Sequence, residues 1–208
     1  HWRMQLSRGF SGTISLMCYF FALGVLPLAT AVTLSYTSPL FVALLLILWF
    51  GERPGRGALA AIALGFAGVV MLLKPTLQPD QWFGALVGMA GGMLASIAYI
   101  NVRELGRVGE PEARTVLWFS FVTSLFGLGW AMLSGGLHPM DARTLAIVLG
   151  VGGFGGFAQL AMTRAYRYGK TVVSANLSYS TVIFSSLFGV ALWDERLPWA
   201  SLLGIATI

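Results

Sequence analysis

Charge is what this chain has least of. Asp, Glu, Lys and Arg make up 10% of its 208 residues, against 57% hydrophobic residues. A soluble domain carries roughly a quarter charged residues, so the sequence excludes a surface covered by water over most of the molecule. A mean hydropathy of +0.78 says the same. Cysteine is nearly absent: a lone Cys18, inside an apolar run, excludes a disulfide framework within the chain. Acids at membrane depth are missing too. The eight carboxylates (Glu52, Asp80, Glu104, Glu110, Glu112, Asp141, Asp194 and Glu195) fall in polar breaks or at the ends of apolar runs. No HExxH, GxSxG or Walker pattern occurs, and the two histidines, His1 and His138, stand far apart. These absences leave an integral membrane enzyme without a catalytic set and call for no cofactor and no metal.

What is present is a series of long apolar runs. Seven are about 17–25 residues long, the length that crosses a bilayer: roughly Phe10–Leu26, Ala29–Phe50, Ala58–Leu73, Phe83–Val102, Thr115–Ser134, Leu145–Thr163 and Val172–Trp193. An eighth starts at Trp199. Backbone groups in hydrocarbon must be satisfied internally and the alternation of a barrel strand is absent, so the runs predict helices. Only a turn around Pro27 separates the first two.

The basic residues indicate direction. Arg3, Arg8, Arg53, Arg56, Arg103, Arg107, Arg114, Arg164, Arg167 and Lys170 fall in breaks on the starting side, and Lys74, Arg143 and Arg196 on the other. The excess places the starting side in the cytoplasm. The net charge of +5 is thereby a topology signal, and no basic face for nucleic acid remains.

One cassette occurs twice. Leu34-Ser35-Tyr36-Thr37-Ser38-Pro39-Leu40-Phe41 followed by Glu52-Arg53 is echoed by Leu177-Ser178-Tyr179-Ser180-Thr181-Val182-Ile183-Phe184 followed by Glu195-Arg196. An odd number of crossings lies between the copies, so they approach the membrane from opposite sides and the repeat is inverted. The copies align without a gap over Ala22–Gly65 and Ala165–Ile208. Ahead of that aligned region the second has two spans, Phe83–Val102 and Thr115–Ser134, where the first has only a short polar start at His1. The expectation is a parent of ten helices, five plus five, lacking here two N-terminal helices and most of the last.

A helix ending in Leu26-Pro27-Leu28-Ala29-Thr30-Ala31, then Pro39-Leu40-Phe41 and Gly51-Glu52-Arg53, a helix closed by Leu73-Lys74-Pro75, and Arg164-Ala165-Tyr166-Arg167-Tyr168-Gly169 ahead of the second Glu195-Arg196 together resemble the EamA-like family of the drug/metabolite transporter superfamily. The resemblance implies an all-α polytopic membrane bundle with an inverted 5+5 repeat. Residues 1–76 would hold the last three helices of the first repeat and 82–208 a second repeat truncated in its last helix. It further implies a secondary carrier of the bacterial inner membrane, an exporter by family habit. The competing class is a non-transporting receptor or scaffold, since fold does not dictate function.

Five residues are candidates for lining a substrate path. Pro39 sits mid-span, where its ring excludes an amide hydrogen bond and crowds the carbonyl of Ser35; the alternative is a kink that only shapes packing. Tyr36 and Tyr179 are repeat mates at similar depth, each needing a partner for its hydroxyl, and core packing competes with a lining role. Gln159 and Asn176 are amides on adjacent helices, three residues separating Asn176 from Tyr179 on one face; helix-to-helix hydrogen bonding competes here. Tyr99 and Asn101, at the end of their span, read as surface residues. The glycines at 88, 91 and 92 and at 150, 152, 153, 155 and 156 read as close-packed surfaces on which halves could rock. Trp49, Trp82, Trp193 and Trp199 fit an aromatic belt and the two Glu-Arg pairs anchor helix ends. Arg164, which can snorkel, reads as the one cation near a span. The cargo expected is a neutral, zwitterionic or aromatic small molecule, carried through the lipid bilayer by a monomer.

Overall fold

The structure, a computed structural model, describes residues 1–135, 140–193 and 199–208. His138, Asp194 and the Glu195-Arg196 pair lie outside the described residues. The described chain is helical throughout: α1 (Trp2–Val25), α2 (Leu28–Ser35), α3 (Ser38–Phe50), α4 (Arg56–Leu73), α5 (Trp82–Arg107), α6 (Glu112–Leu133), α7 (Ala142–Tyr168), α8 (Thr171–Leu177), α9 (Ser180–Trp193) and α10 (Trp199–Thr207). Seven segments are long and apolar enough to cross a membrane, with α2–α3 counting as one and α8–α9 as another. The fold is a polytopic membrane helical bundle.

The helices outrun the apolar runs that predict them. α1 begins eight residues before Phe10, α5 continues to Arg107 and α7 to Tyr168. Charged residues are good helix formers once the backbone leaves hydrocarbon, so the hydrophobic boundary is not the helix boundary. Stops follow local chemistry. Pro27, with ψ 139, precedes α2. Gly51 takes the left-handed conformation at φ 63 and its N–H caps the Ile47 carbonyl. Asp141 caps α7 by accepting from the Thr144 N–H at 2.9 Å, and those Thr144 hydrogen bonds hold its carboxyl below the usual range.

The chain divides into two compact units, residues 1–13 with 98–169 and residues 14–97 with 170–208. In the first, α6 packs on α7 and on the start of α1. Gly9 admits Val122, Phe10 meets Phe126 edge-to-face at 5.7 Å, and the Thr13 and Thr123 hydroxyls hydrogen-bond at 2.8 Å. Arg167 ties the α7 end to the Glu110 carbonyl (3.0 Å) and the Glu112 carboxylate (3.3 Å).

In the second unit, α4 and α10 cross at two glycines. A Cβ on Gly68 would stand 2.6 Å from the Gly204 carbonyl oxygen, and one on Gly204 2.7 Å from that of Gly68. The α5 glycines also behave as expected. Gly88 faces Leu34 and Ala22, Gly91 faces Cys18, and Gly92 meets Thr37 and the Leu34 carbonyl. The α7 glycines do not. Around Gly150, Gly152, Gly153, Gly155 and Gly156 no described atom comes within 4 Å of a Cβ position. Small-residue spacing permits close approach but does not supply the partner, and α7 turns this face outward with Phe154 and Phe157 beside it.

Candidate functional site

The duplicated cassette is where two spans break. After α2 the backbone leaves the helix at Tyr36-Thr37, and after α8 it leaves at Ser178-Tyr179. Pro39 therefore sits not inside a kinked helix but at the second position of α3, where a missing N–H costs nothing because the first turn has no partners for it. Both breaks tighten into three-residue turns: the Thr37 N–H reaches the Leu34 carbonyl at 3.1 Å and the Tyr179 N–H reaches that of Asn176 at 3.1 Å. Hydroxyls take up further carbonyls. Thr37 donates to Leu34 (2.5 Å), Ser178 to Ala175 (2.7 Å) and Ser180 to Leu177 (2.6 Å). Irregular backbone at membrane depth survives only with such satisfaction or against a water-filled cavity.

α8 packs on α3 and α4, which brings the repeat-mate tyrosines together with ring centroids 6.0 Å apart and planes tilted 53°. Tyr179 is fully buried among Val69, Leu72 and Val182, with Tyr36 packed against that cluster. Gly65 of α4 makes the room. A Cβ there would lie 2.5 Å from the Tyr179 ring and 3.2 Å from the Asn176 Oδ1. The Tyr179 hydroxyl and Asn176 Oδ1 are buried and have no hydrogen-bond partner among the described residues. Four of the five candidate residues (Tyr36, Pro39, Asn176 and Tyr179) thus gather around the two breaks of one unit.

Gln159 belongs to the other unit, and its neighbour there corrects the sequence reading. Its Oε1 accepts from the Arg8 guanidinium at 3.0 Å. Arg8, expected in a loop, lies within α1 at 3% exposure, its guanidinium 4.0 Å above the centroid of the Phe119 ring. Arg164 is therefore not the one cation near a span. The stretch from Trp2 to Gly9 reads as interfacial by composition, and only the docking of α6 and α7 reveals that it is packed. Tyr99 is likewise engaged by a neighbouring helix, whereas Asn101 makes its hydrogen bond at the surface. Tyr99 stacks on Tyr166 at 5.2 Å with planes 20° apart, and the Asn101 amide donates to the Ser7 hydroxyl at 2.9 Å. Nothing in the periodicity singles these residues out; the usable signal was Gln5 and Arg8 three apart on one helical face.

Residues 1–74 and 82–208 match the EamA-like transporter family. The chain belongs to that family. A transporter of Helicobacter pylori (strain J99) is 29% identical over 95% of this chain and 67% of its own length. The pseudopaline exporter of Pseudomonas aeruginosa is 29% identical over 92% of the chain and 67% of its own length. The riboflavin transporter of Rhizobium johnstonii reaches 32% over 79% and 53%. A solved crystal structure, 24% identical, superposes with a TM-score of 0.85 over the whole chain and 73% of its own, a likeness of fold. The chain thus spans two thirds or less of these curated relatives' lengths. Membership of this family makes the protein a multi-pass membrane transporter of small molecules and not an enzyme.

Proposed function

We propose that the protein is a secondary active transporter that exports a small metabolite or drug across the bacterial inner membrane. It works as a monomer by alternating access between two inverted repeats, 1–76 and 82–208, with the starting side of the chain in the cytoplasm. One observation carries this reading: the two spans that hold the duplicated cassette both break at its tyrosine, and the two breaks meet at Tyr36 and Tyr179. Broken helices are where many carriers bind their cargo, because each break exposes helix ends whose partial charges can meet a ligand.

The polar atoms there support cargo rather than packing. A buried hydroxyl or amide oxygen without a partner costs about 1–3 kcal/mol, and a solute that bonds Tyr179 and Asn176 recovers that. Tyr36 supplies an aromatic face, and the Pro39 ring fills the wall beside it. Such a lining suits a neutral, zwitterionic or aromatic solute.

The test is flux through proteoliposomes holding the full-length protein. The panel includes pseudopaline and riboflavin (the solutes in the relatives' names), amino acids, nucleosides and cationic drugs, with and without a pH gradient. Tyr179→Ala and Asn176→Ala are expected to lower flux roughly tenfold each, about one hydrogen bond's worth, without loss of reconstituted protein. Unchanged flux in both, and in Tyr36→Ala, would remove the site assignment. Absence of flux for every solute would favour a receptor or scaffold instead.

A further inference from the structure

We propose that Arg8, flanked by Gln5 and Gln159, is a binding site for a carboxylate group borne by the transported solute. A buried guanidinium needs a counter-charge, and Arg8 has none among the described residues. The carboxylates described in its unit are engaged elsewhere: Glu104 with Arg103 and Arg107, Glu110 with Arg114 and the His1 amino group, Glu112 with Arg167, and Asp141 with the Thr144 N–H. Among the described residues Arg8 meets the neutral Gln159 oxygen and the Phe119 ring face, the Tyr99 phenol is its other close polar neighbour, and its Nε–H has no partner. Those contacts satisfy one of its five donors and neutralise none of its charge.

The neighbours point the same way. Gln5 lies three residues earlier on the same face of α1. It is 3% exposed, and neither its Nε2 nor its Oε1 has a partner among the described residues. Thr163, four residues after Gln159 on α7, is also 3% exposed, and its hydroxyl has no partner among the described residues. Arg8 Nε, Gln5 Nε2 and Thr163 Oγ1 are three idle donors in one unit, and a carboxylate offers about four acceptor positions on two oxygens.

Simple snorkelling does not explain Arg8. Helical side chains lean toward the N-terminus, and an arginine escaping to the near interface would lean that way, toward the start of α1. This one reaches forward instead. A Cβ at Gly12, one turn deeper, would collide with the Arg8 guanidinium and stand 2.8 Å from the Phe119 ring. Gly12 thereby opens the slot that the guanidinium occupies.

The inference presupposes the transporter reading for the solute's passage, but its test reads binding without transport. Full-length protein in phosphatidylcholine nanodiscs is titrated with benzoate and with benzamide, its uncharged isostere, and followed by tryptophan fluorescence and melting temperature. Benzoate is expected to bind at least tenfold tighter than benzamide. Arg8→Gln is expected to abolish that preference, and Arg8→Lys to weaken it about tenfold through loss of the bidentate fork. Because Arg8→Gln can also disturb folding, Gln5→Leu is the second variant. Removing an unpartnered buried amide should raise the melting temperature without ligand yet weaken benzoate several-fold, a combination that a purely structural glutamine would not give.

Equal binding of benzoate and benzamide, or benzoate binding intact in both Arg8→Gln and Gln5→Leu, would overturn the proposal. So would an Arg8-dependent response to phosphatidylglycerol in the nanodisc with none to benzoate, since the anion would then be a lipid phosphate. Unchanged flux in the Tyr179 and Asn176 variants would undo the broken-helix site while leaving this result standing.

Discussion

In the first broken span the helix stops at Tyr36-Thr37 and Pro39 follows at the second position of α3; in the second it stops at Ser178-Tyr179, with Val182 where proline would stand. Val182 keeps its N–H and donates it to the Tyr179 carbonyl at 3.0 Å, yet the span breaks all the same. Proline is therefore compatible with the break and is not its cause. What the copies share is Leu-Ser-Tyr followed by one hydroxyl residue, Thr37 or Ser180, that hydrogen-bonds the carbonyl three positions back. Such local bonds compete with the helix ladder. Each break also rests on a glycine from another helix, Gly92 of α5 under the first and Gly65 of α4 under the second.

The two tyrosines differ as well. Tyr179 is fully buried with an idle hydroxyl, whereas Tyr36 is half-buried at the edge of the same cluster. Equivalent letters have acquired unequal environments, so the two copies need not contribute equally to cargo binding.

The sharpest way to probe the comparison is through the glycines. Gly65→Ala and Gly92→Ala should each destabilise by about 1–3 kcal/mol, the usual penalty of overpacking, read as thermal unfolding of purified full-length protein. An alanine tolerated at one position only would mean that the corresponding break has slack the other lacks. Next comes the tyrosine pair. Tyr179→Phe should leave stability unchanged or raise it by up to about 1 kcal/mol, because the hydroxyl has no partner among the described residues, while raising KM for the cargo roughly tenfold. Tyr36→Phe should move KM less, and equal effects would mean the copies bind symmetrically.

Thr37→Val tests the hydroxyl explanation at about 1 kcal/mol, one hydrogen bond, again by melting temperature; no change would shift the cause of the break elsewhere. The smallest effect is expected from Pro39→Ala, about 0.5 kcal/mol through a freer unfolded chain, with flux retained. A loss as large as that of the glycine variants would restore proline as the determinant of the first break.

Much of this architecture is legible without coordinates, for reasons that differ by feature. The spans are legible because hydrocarbon imposes a length and a composition on every crossing. Pro27 marks its turn because it cannot continue a helix. The repeat puts Tyr36 and Tyr179 at similar depth, but their meeting follows from the packing of α8 on α3 and α4. Arg8 was not legible: a polar stretch beside an apolar run looks the same whether it faces water or a neighbouring helix. Nor were the glycines separable, since Gly88–Gly92 and Gly152–Gly156 share one spacing and only the first pair meets a helix in the described chain.

The sequence by itself determined that this chain lives in a bilayer as a bundle of helices, and that one motif is used twice. Those properties follow from solvent and backbone chemistry acting locally, one segment at a time. Only the tertiary structure decided which polar groups are stranded in the interior. The partner of Arg8 is 151 residues away in Gln159, and the space for Tyr179 is left by Gly65 on another helix. Burial is a property of pairs of segments, and no window along a single chain contains both members.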